Sequence, residues 1–246
     1  MYSKLSVVIP AYNEIDNIQE ILKRVSEVET GLEKEIIIVD DCSKDGTREF
    51  LEKIRNGGKE VSKLLPSKDP RTFKVIFHQQ NAGKGGALRT GFSHVTGDIM
   101  IVQDADLEYD PRDYKRLLRP ILDGEADVVY GSRFLGHKRP EGILFSSFIA
   151  NKILTFFSNI LTGLSLTDME TCYKVVKSSI LREIELTSDR FGIEPEITAK
   201  LSKKKIRLVE LPISYHGRDH EAGKKINWKD GLSAIYHIIR FNLKKN

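Results

Sequence analysis

The sequence predicts an α/β fold in which helices flank a mostly parallel sheet. Short β-branched runs alternate with segments of helical period through the first 130 residues, the pattern of consecutive βαβ units. Three of the runs end on polar or acidic clusters, as strand ends facing a ligand crevice do in open α/β sheets. With 40% hydrophobic and 30% charged residues in a 246-residue chain, there is apolar matter enough for a core. Neither disorder nor a disulfide-stapled framework fits that composition.

Residues 5–10 are a β-branched run stopped by Pro10. A helix follows over 13–25, with Ile15, Ile18, Ile21, Leu22 and Val25 at a 3.6-residue period. Residues 35–39 are a second strand, ended by Asp40-Asp41-Cys42-Ser43, and Ser43 or Asp45 caps a helix over about 47–54. Residues 56–71 carry Gly57-Gly58, Pro66 and Pro70 among charges and read as a surface insertion. Strands at 74–77, 99–102 and 128–130 follow, with a helix over 86–94 between the first two. After residue 140 come a long helical stretch, mixed segments and a basic tail. The stretch 142–164 is apolar but interrupted by Asn151, Lys152 and Asn159, which does not suit a spanning helix. It is either an interfacial helix presenting Phe145, Phe148, Phe156 and Phe157 to lipid or a core helix. The tail, 226–243, is amphipathic through Trp228, Leu232, Ile235, Tyr236, Ile239 and Leu243. It would pack on its own core, on a second subunit or on a membrane. No segment has linker composition. The expectation is a domain over 1–215, dividing at about 135 into two segments (to which the resemblance below assigns donor and acceptor), followed by a basic loop and amphipathic helix over 216–246.

Thirty-nine Lys+Arg against 35 Asp+Glu leave a formal charge of +4, and no nucleic-acid motif accompanies it, so nucleic acid is not expected as a partner. The excess is local, in Lys203-Lys204-Lys205, Lys224-Lys225 and Lys244-Lys245. Such runs are solvated faces or attractants for anionic lipid. Cys42 and Cys172 have neither metal-ligand spacing nor a disulfide pattern, and the opening residues carry no secretory signal. A cytoplasmic protein, peripheral on a membrane at most, is expected. Cys172 reads as a small buried hydrophobe, His78 and His94 as structural or exposed. His216 and His220 flank Arg218.

Two clusters carry chemistry. Asp104-Ala105-Asp106 directly follows the fourth strand. Like-charged carboxylates at a buried strand end repel unless a cation relieves them, and a hard divalent ion, Mg²⁺ or Mn²⁺, held by one or two carboxylates and substrate phosphates would do so. A solvated turn is the plain alternative. Asn81-Ala82-Gly83-Lys84-Gly85-Gly86-Ala87 matches neither the P-loop spacing nor the dinucleotide fingerprint. It still suits close backbone approach and a helix N-terminus facing an anion.

Taken together, four stretches resemble the family-2 inverting glycosyltransferases, whose fold is GT-A. They are Val7-Val8-Ile9-Pro10-Ala11-Tyr12-Asn13-Glu14, Ile37 through Thr47 with Asp40-Asp41, the glycine cluster, and Asp104-Ala105-Asp106-Leu107-Glu108. Tyr130-Gly131-Ser132-Arg133, Thr167-Asp168-Met169-Glu170-Thr171-Cys172-Tyr173-Lys174 and Arg218 through Lys225 resemble the branch that makes polyprenyl- or dolichyl-phosphate sugars. The resemblance implies that Pro10, Ala11, Tyr12, Glu14 and Asp40 cradle the base and ribose of a UDP- or GDP-hexose, with Lys84 in the donor-binding set. It places the metal on Asp104 and Asp106, with Glu108 beside them. Arg133 would meet an acceptor phosphate, and Arg218 and Lys224 would close a basic loop over the diphosphate or that phosphate.

Glu108 stands where mannosyl-transferring relatives usually have Gln, which favours a UDP donor. Glucose, mannose and N-acetylglucosamine all stay open. A phosphate acceptor is already largely anionic near neutral pH. A saccharide or protein hydroxyl would need a base, and Asp168 or Glu170 is the candidate. A non-catalytic nucleotide-sugar-binding protein is a further alternative, and a homo-oligomer or a separate membrane-anchoring partner is compatible with the chain.

Overall fold

The computed structural model describes residues 2–57, 72–136, 142–190, 192–217 and 228–243, the side chains at 228–230 and 232 excepted. Seven strands, β1 (Lys4–Ala11), β2 (Glu33–Asp40), β3 (Phe73–Phe77), β4 (Ile99–Val102), β5 (Val128–Ser132), β6 (Lys174–Lys177) and β7 (Leu208–Pro212), form one sheet in the order β3-β2-β1-β4-β6-β5-β7. The helices are α1 (Ile15–Glu27), α2 (Thr47–Arg55), α3 (Gly83–Ser93), α4 (Tyr114–Leu122), α5 (Phe145–Thr162), α6 (Ser178–Leu181), α7 (Ile193–Ser202) and α8 (Trp228–Leu243).

The five strands expected from sequence are present, as are the helices of the first half and the long helix after residue 140. The central strands are buried on both faces. Val7, Val8, Ile9, Ile36, Ile37, Ile38, Ile99 and Ile101 have no exposure at all, and each contributes roughly 1.5–3 kcal/mol by leaving water. That two-sided burial explains why these strands read as continuous apolar runs rather than alternating ones.

Strand direction assembles the working edge. β1 pairs in parallel with β2 (Ala11 beside Asp40) and with β4 (Val8 beside Val102), and β2 pairs in parallel with β3 (Asp40 beside Phe77). The carboxyl ends of these four strands therefore share one edge. β6 runs antiparallel to both β4 and β5 (Met100 and Val129 face Val176 and Val175), while β7 runs parallel to β5. The ends of β4 and β5 accordingly face the same way, and the segment 167–173, entering β6, arrives between them.

Loop hydrogen bonds hold this edge in shape. Asp45 accepts the N–H of Thr47 at 3.0 Å, opening α2, and that of Ile15 at 3.1 Å, opening α1. Ser43, the other expected cap, accepts the Asn13 N–H at 3.0 Å and ties the β1–α1 turn to the β2–α2 turn. Gly83 has φ +79, and a Cβ there would stand 2.6 Å from the Asp189 carbonyl oxygen; a Cβ on Gly85 would run into the Ser188 carbonyl. The glycines let α3 lie directly on the backbone of 188–190, with Gly86 N–H donating to Asp189 O at 2.9 Å. Glu196 fixes that backbone from behind by accepting the N–H groups of Thr187 (2.9 Å) and Ser188 (2.7 Å).

Alanine normally stabilises a helix interior by ~1 kcal/mol over glycine. At Gly85 the sign reverses: Gly85→Ala should destabilise the protein by about 1–3 kcal/mol through overpacking against Ser188, read as a lower urea midpoint at unchanged slope.

Candidate functional site

Neighbouring Asp40 and Asp41 do different work because successive side chains leave a strand on opposite sides. Asp40 is fully buried, accepts the Ser43 N–H at 3.3 Å, and faces Arg48 Nη1 at 3.5 Å. Asp41 points to α3 and accepts the N–H groups of Ala82 (2.8 Å) and Gly83 (2.7 Å), with His78 Nδ1 at 2.7 Å. The helix N-terminus does face an anion, as the glycine cluster suggested. That anion is the protein's own Asp41, placed where the helix dipole favours negative charge. His78 is structural, its other ring nitrogen 2.9 Å from Thr90 Oγ1.

Of the expected donor-site residues, Ala11 is buried beside Asp40, and Tyr12 is 45% exposed at the rim. Glu14 heads α1, its carbonyl accepting from Ile18 N–H at 2.8 Å and its carboxylate from Asn17 Nδ2 at 2.8 Å. Pro10 lies within β1, which continues to Ala11.

Asp104 meets Lys84. The ammonium lies 2.9 Å from Asp104 Oδ1 and 3.1 Å from Oδ2, and 3.0 Å from Glu194 Oε1 at the start of α7. Burial opposes charge on Lys84, but the Asp104 and Glu194 carboxylates outweigh it and hold its pKa well above the usual lysine range. Beneath this group, Gln103 Oε1 accepts from the hydroxyls of Tyr114 (2.8 Å) and Tyr173 (2.7 Å), and its amide donates to the Asp104 carbonyl at 2.9 Å. Leu107, at φ 60, turns the chain so that Glu108 N–H donates to Asp106 Oδ1 at 3.3 Å. A left-handed leucine costs about 1–3 kcal/mol, and such strain tends to collect at functional sites.

Glu108, expected beside Asp104 and Asp106, accepts from the Tyr215 hydroxyl at 2.8 Å through Oε2, while its carbonyl accepts the His216 N–H at 2.9 Å. Among the described residues no three His, Cys, Asp or Glu side chains converge into a metal cage. The donor set nevertheless suits Mg²⁺ or Mn²⁺: two hard carboxylates two positions apart, needing a substrate diphosphate to complete the shell.

The second cluster lies at the end of β5. Arg133 forms a fork with Asp168, Nε to Oδ2 at 2.7 Å and Nη2 to Oδ1 at 2.8 Å. The rings of Phe134 and Tyr215 stand 5.2 and 5.4 Å from the guanidinium. Asp168 also accepts from Arg133 N–H and Asn151 Nδ2, so its oxygens are engaged. Glu210 on β7 accepts the N–H groups of Thr167 (2.9 Å) and Asp168 (3.0 Å), holding the loop that presents Asp168. Glu170 has a buried oxygen without a hydrogen-bond partner among the described residues. Burial, reinforced by Glu194, pushes its carboxyl up to about 8. Lys174 is buried over the Tyr130 ring at 4.8 Å, where burial lowers its pKa. Cys172 is buried as expected.

Arg218, Lys224 and His220 lie outside the described residues. The described chain runs up to that segment through His216 and Gly217, beside Glu108. Sequence reading missed Glu194, Glu210, Tyr215 and the role of Asp41. Glu194 had one signal, an acidic residue in the first turn of an apolar helix, Ile193-Glu194-Pro195-Glu196-Ile197.

The sequence model described as Glycosyl transferase family 2 matches residues 6–185. A dolichol-phosphate mannosyltransferase of Pyrococcus furiosus is 29% identical over 239 residues, 96% of this chain, which spans 63% of that relative's length. A UDP-N-acetylglucosamine–dolichyl-phosphate N-acetylglucosaminyltransferase of Methanococcus voltae is 26% identical over 97% of this chain and 96% of its own. Among solved structures, glucosyl-3-phosphoglycerate synthase from Mycobacterium tuberculosis, in complex with Mn²⁺, UDP-glucose and phosphoglyceric acid, superposes with a TM-score of 0.67 at 17% identity, covering 100% of this chain and 81% of that one. That likeness establishes the fold, the GT-A arrangement.

The raised carboxyl of Glu170 has a signed consequence. With the folded value near 8 above an unfolded value near 4.5, its contribution to stability is intact below pH 4.5 and is lost as the pH rises through about 8. Urea unfolding at about pH 6 and about pH 9 should show Glu170→Gln gaining on wild type at the higher pH.

Proposed function

Because the chain belongs to glycosyl transferase family 2, we propose that it transfers one hexose, with inversion, from a nucleotide diphosphate sugar to a polyprenyl or dolichyl phosphate. The continuity between Arg133 and α5 carries this reading. Asn151 and Lys152 of α5 reach Asp168 Oδ1 (3.3 Å) and the Thr167 carbonyl (3.3 Å), which puts α5 against the loop that holds Arg133. α5 is amphipathic in the reverse of the usual sense. Thr155 and Asn159 turn inward and hydrogen-bond Met169 N–H and Leu166, while Phe145, Phe156 and Ile160 are 64%, 61% and 61% exposed. Tyr236, Ile239 and Leu243 of the adjoining α8 are exposed too. A phosphate held at Arg133 would thus have an apolar ramp for its lipid beside it. This face would lie on the cytoplasmic leaflet as a peripheral contact. No described helix is long and apolar enough to cross a membrane.

Pro10, Ala11, Tyr12, Glu14 and Asp40 would hold the nucleoside, and Asp104 and Asp106 a divalent metal on the diphosphate, with Glu108 beside them held by Tyr215. When bound, that metal would supply positive charge to the departing diphosphate. Arg133, oriented by Asp168, would receive the acceptor phosphate through its remaining N–H donors. Arg218 and Lys224 would add charge over the phosphates. A phosphate monoester brings its own anionic oxygen, which suits a site where Arg133 occupies both oxygens of Asp168. A hydroxyl acceptor would instead need a base, with Glu170 the candidate. The donor set stays UDP- or GDP-hexose, with UDP favoured by Glu108.

Incubation with labelled nucleotide sugars, Mn²⁺ or Mg²⁺ and polyprenyl phosphate should move label into lipid extracts, and Glu170→Gln should keep most of that turnover. No lipid label with any donor overturns the proposal, whereas loss of all turnover in folded Glu170→Gln points to a hydroxyl acceptor. In flotation with anionic phospholipid vesicles, wild type should float, and the double variant Phe156→Asp, Ile160→Asp should stay in the lower fractions.

A further inference from the structure

Lys84 and a divalent metal want the same carboxylate. The Lys84 ammonium hydrogen-bonds Asp104 Oδ2 at 3.1 Å and makes ion-pair contacts with Asp104 Oδ1 at 2.9 Å and Glu194 Oε1 at 3.0 Å. The position is built rather than casual. Lys84 leaves the first turn of α3 between Gly83 and Gly85, whose backbones rest on residues 188–190, and Asp41 clamps the amides just before it. The helix cannot roll to carry the ammonium elsewhere, so only the side chain has freedom to move.

A divalent ion on Asp104 requires one of those oxygens at ~2.0–2.1 Å, where an ammonium already neutralises it. Two cations on one carboxylate repel. We infer that Lys84 is the resident counter-cation of Asp104, that the metal must displace it, and that Glu194 retains it afterwards with two N–H donors freed for the donor's diphosphate. The inference rests on the divalent-metal reading above and adds an order of events to it. Metal alone strips Lys84 of two partners and returns none. Metal arriving with a nucleoside diphosphate supplies phosphate oxygens in their place. Metal and nucleotide are therefore coupled through Lys84, and the coupling is reciprocal. Without donor, the site carries its own internal cation and binds free metal poorly.

Titration of the protein with Mn²⁺ alone, followed by the electron paramagnetic resonance of the free ion, tests this without turnover. The titration is repeated with UDP or GDP present. In wild type, the nucleotide should tighten Mn²⁺ binding by at least about 5-fold, the lower end of usual coupling. Lys84→Gln should bind Mn²⁺ without nucleotide at least about 5-fold more tightly than wild type, and the gain on adding nucleotide should shrink to match. Lys84→Met gives the same reading should the glutamine variant fold poorly, with thermal unfolding checking both. Lys84→Arg, which keeps the charge, should behave as wild type. Lys23→Gln on α1, an exposed lysine outside the site, removes one positive charge and should leave Mn²⁺ affinity unchanged. Equal or weaker Mn²⁺ binding in folded Lys84→Gln and Lys84→Met overturns the inference while leaving the transfer reaction intact. An equal gain in Lys23→Gln also overturns it, since the effect would then be the general field. If no form binds Mn²⁺ even with nucleotide, the metal reading falls and this inference with it.

Discussion

Carboxylates crowded at one edge of a buried sheet cannot coexist unless each has its own compensating charge. Asp40, Asp41, Asp104 and Asp168 all stand there, each buried or largely so, and each has a different answer. Asp40 has Arg48, Asp41 has a helix N-terminus, Asp104 has Lys84, and Asp168 has the fork of Arg133. Much of the remaining architecture serves those answers. The glycines of α3 let its N-terminus and Lys84 come close, Glu196 pins the backbone that the glycines rest on, and Glu210 holds the loop presenting Asp168. Breaking one such pair by removing a single partner strands the other charge, which typically costs about 3–5 kcal/mol.

This arrangement divides the site into two electrostatic halves. On one side stand the acidic side chains after β4, which in the proposed reading would meet a cation brought with a diphosphate. On the other, the Arg133 guanidinium lies among Phe134, Tyr109 and Tyr215, where the proposed acceptor would place an anion. Tyr215 joins the two, since its hydroxyl donates to Glu108 while its ring stands over Arg133. Glu170 lies between them electrostatically, responding to Glu194 and Lys174 as well as to Arg133 and Asp168.

The first five strands and the helices between most of them were legible because each is a simple periodic signal: apolar runs for strands buried on both faces, and a 3.6-residue stripe for α1 and α2. The exception there was α4, whose stripe of Tyr114, Leu117, Leu118 and Ile121 went unread. β6 and β7 were not legible. β6 reads Lys-Val-Val-Lys, and Lys174 is a buried cation bonded to the carbonyls of Met169 and Thr171, where an apolar residue would be expected. β7 carries Glu210 in its middle because that carboxylate serves Thr167 and Asp168. α7 opens with two buried glutamates for the same kind of reason. The acidic motif after β4 was visible, but its partner Glu194 is reached only through the fold. The same holds for Asp41, whose neighbour looked equally fit for the donor. The reversed polarity of α5 was written in Asn151, Lys152 and Asn159. Only the hydrogen bonds of Asn151, Thr155 and Asn159 decide that its apolar side faces outward.

The antiparallel insertion of β6 has a kinetic meaning. Ile99 is registered against Lys177, and Val129 against Val175, so the strand that unites the two halves of the sheet is made after both of its neighbours. While the chain emerges from a ribosome, β4 and β5 present open hydrogen-bonding edges with no partner between them, the kind of edge that invites pairing with another chain. Long-range closure of this sort is slow. The two halves of the sheet can therefore join only after residues 174–177 have been made, and the loop presenting Asp168 gains its Glu210 support later still, when β7 follows.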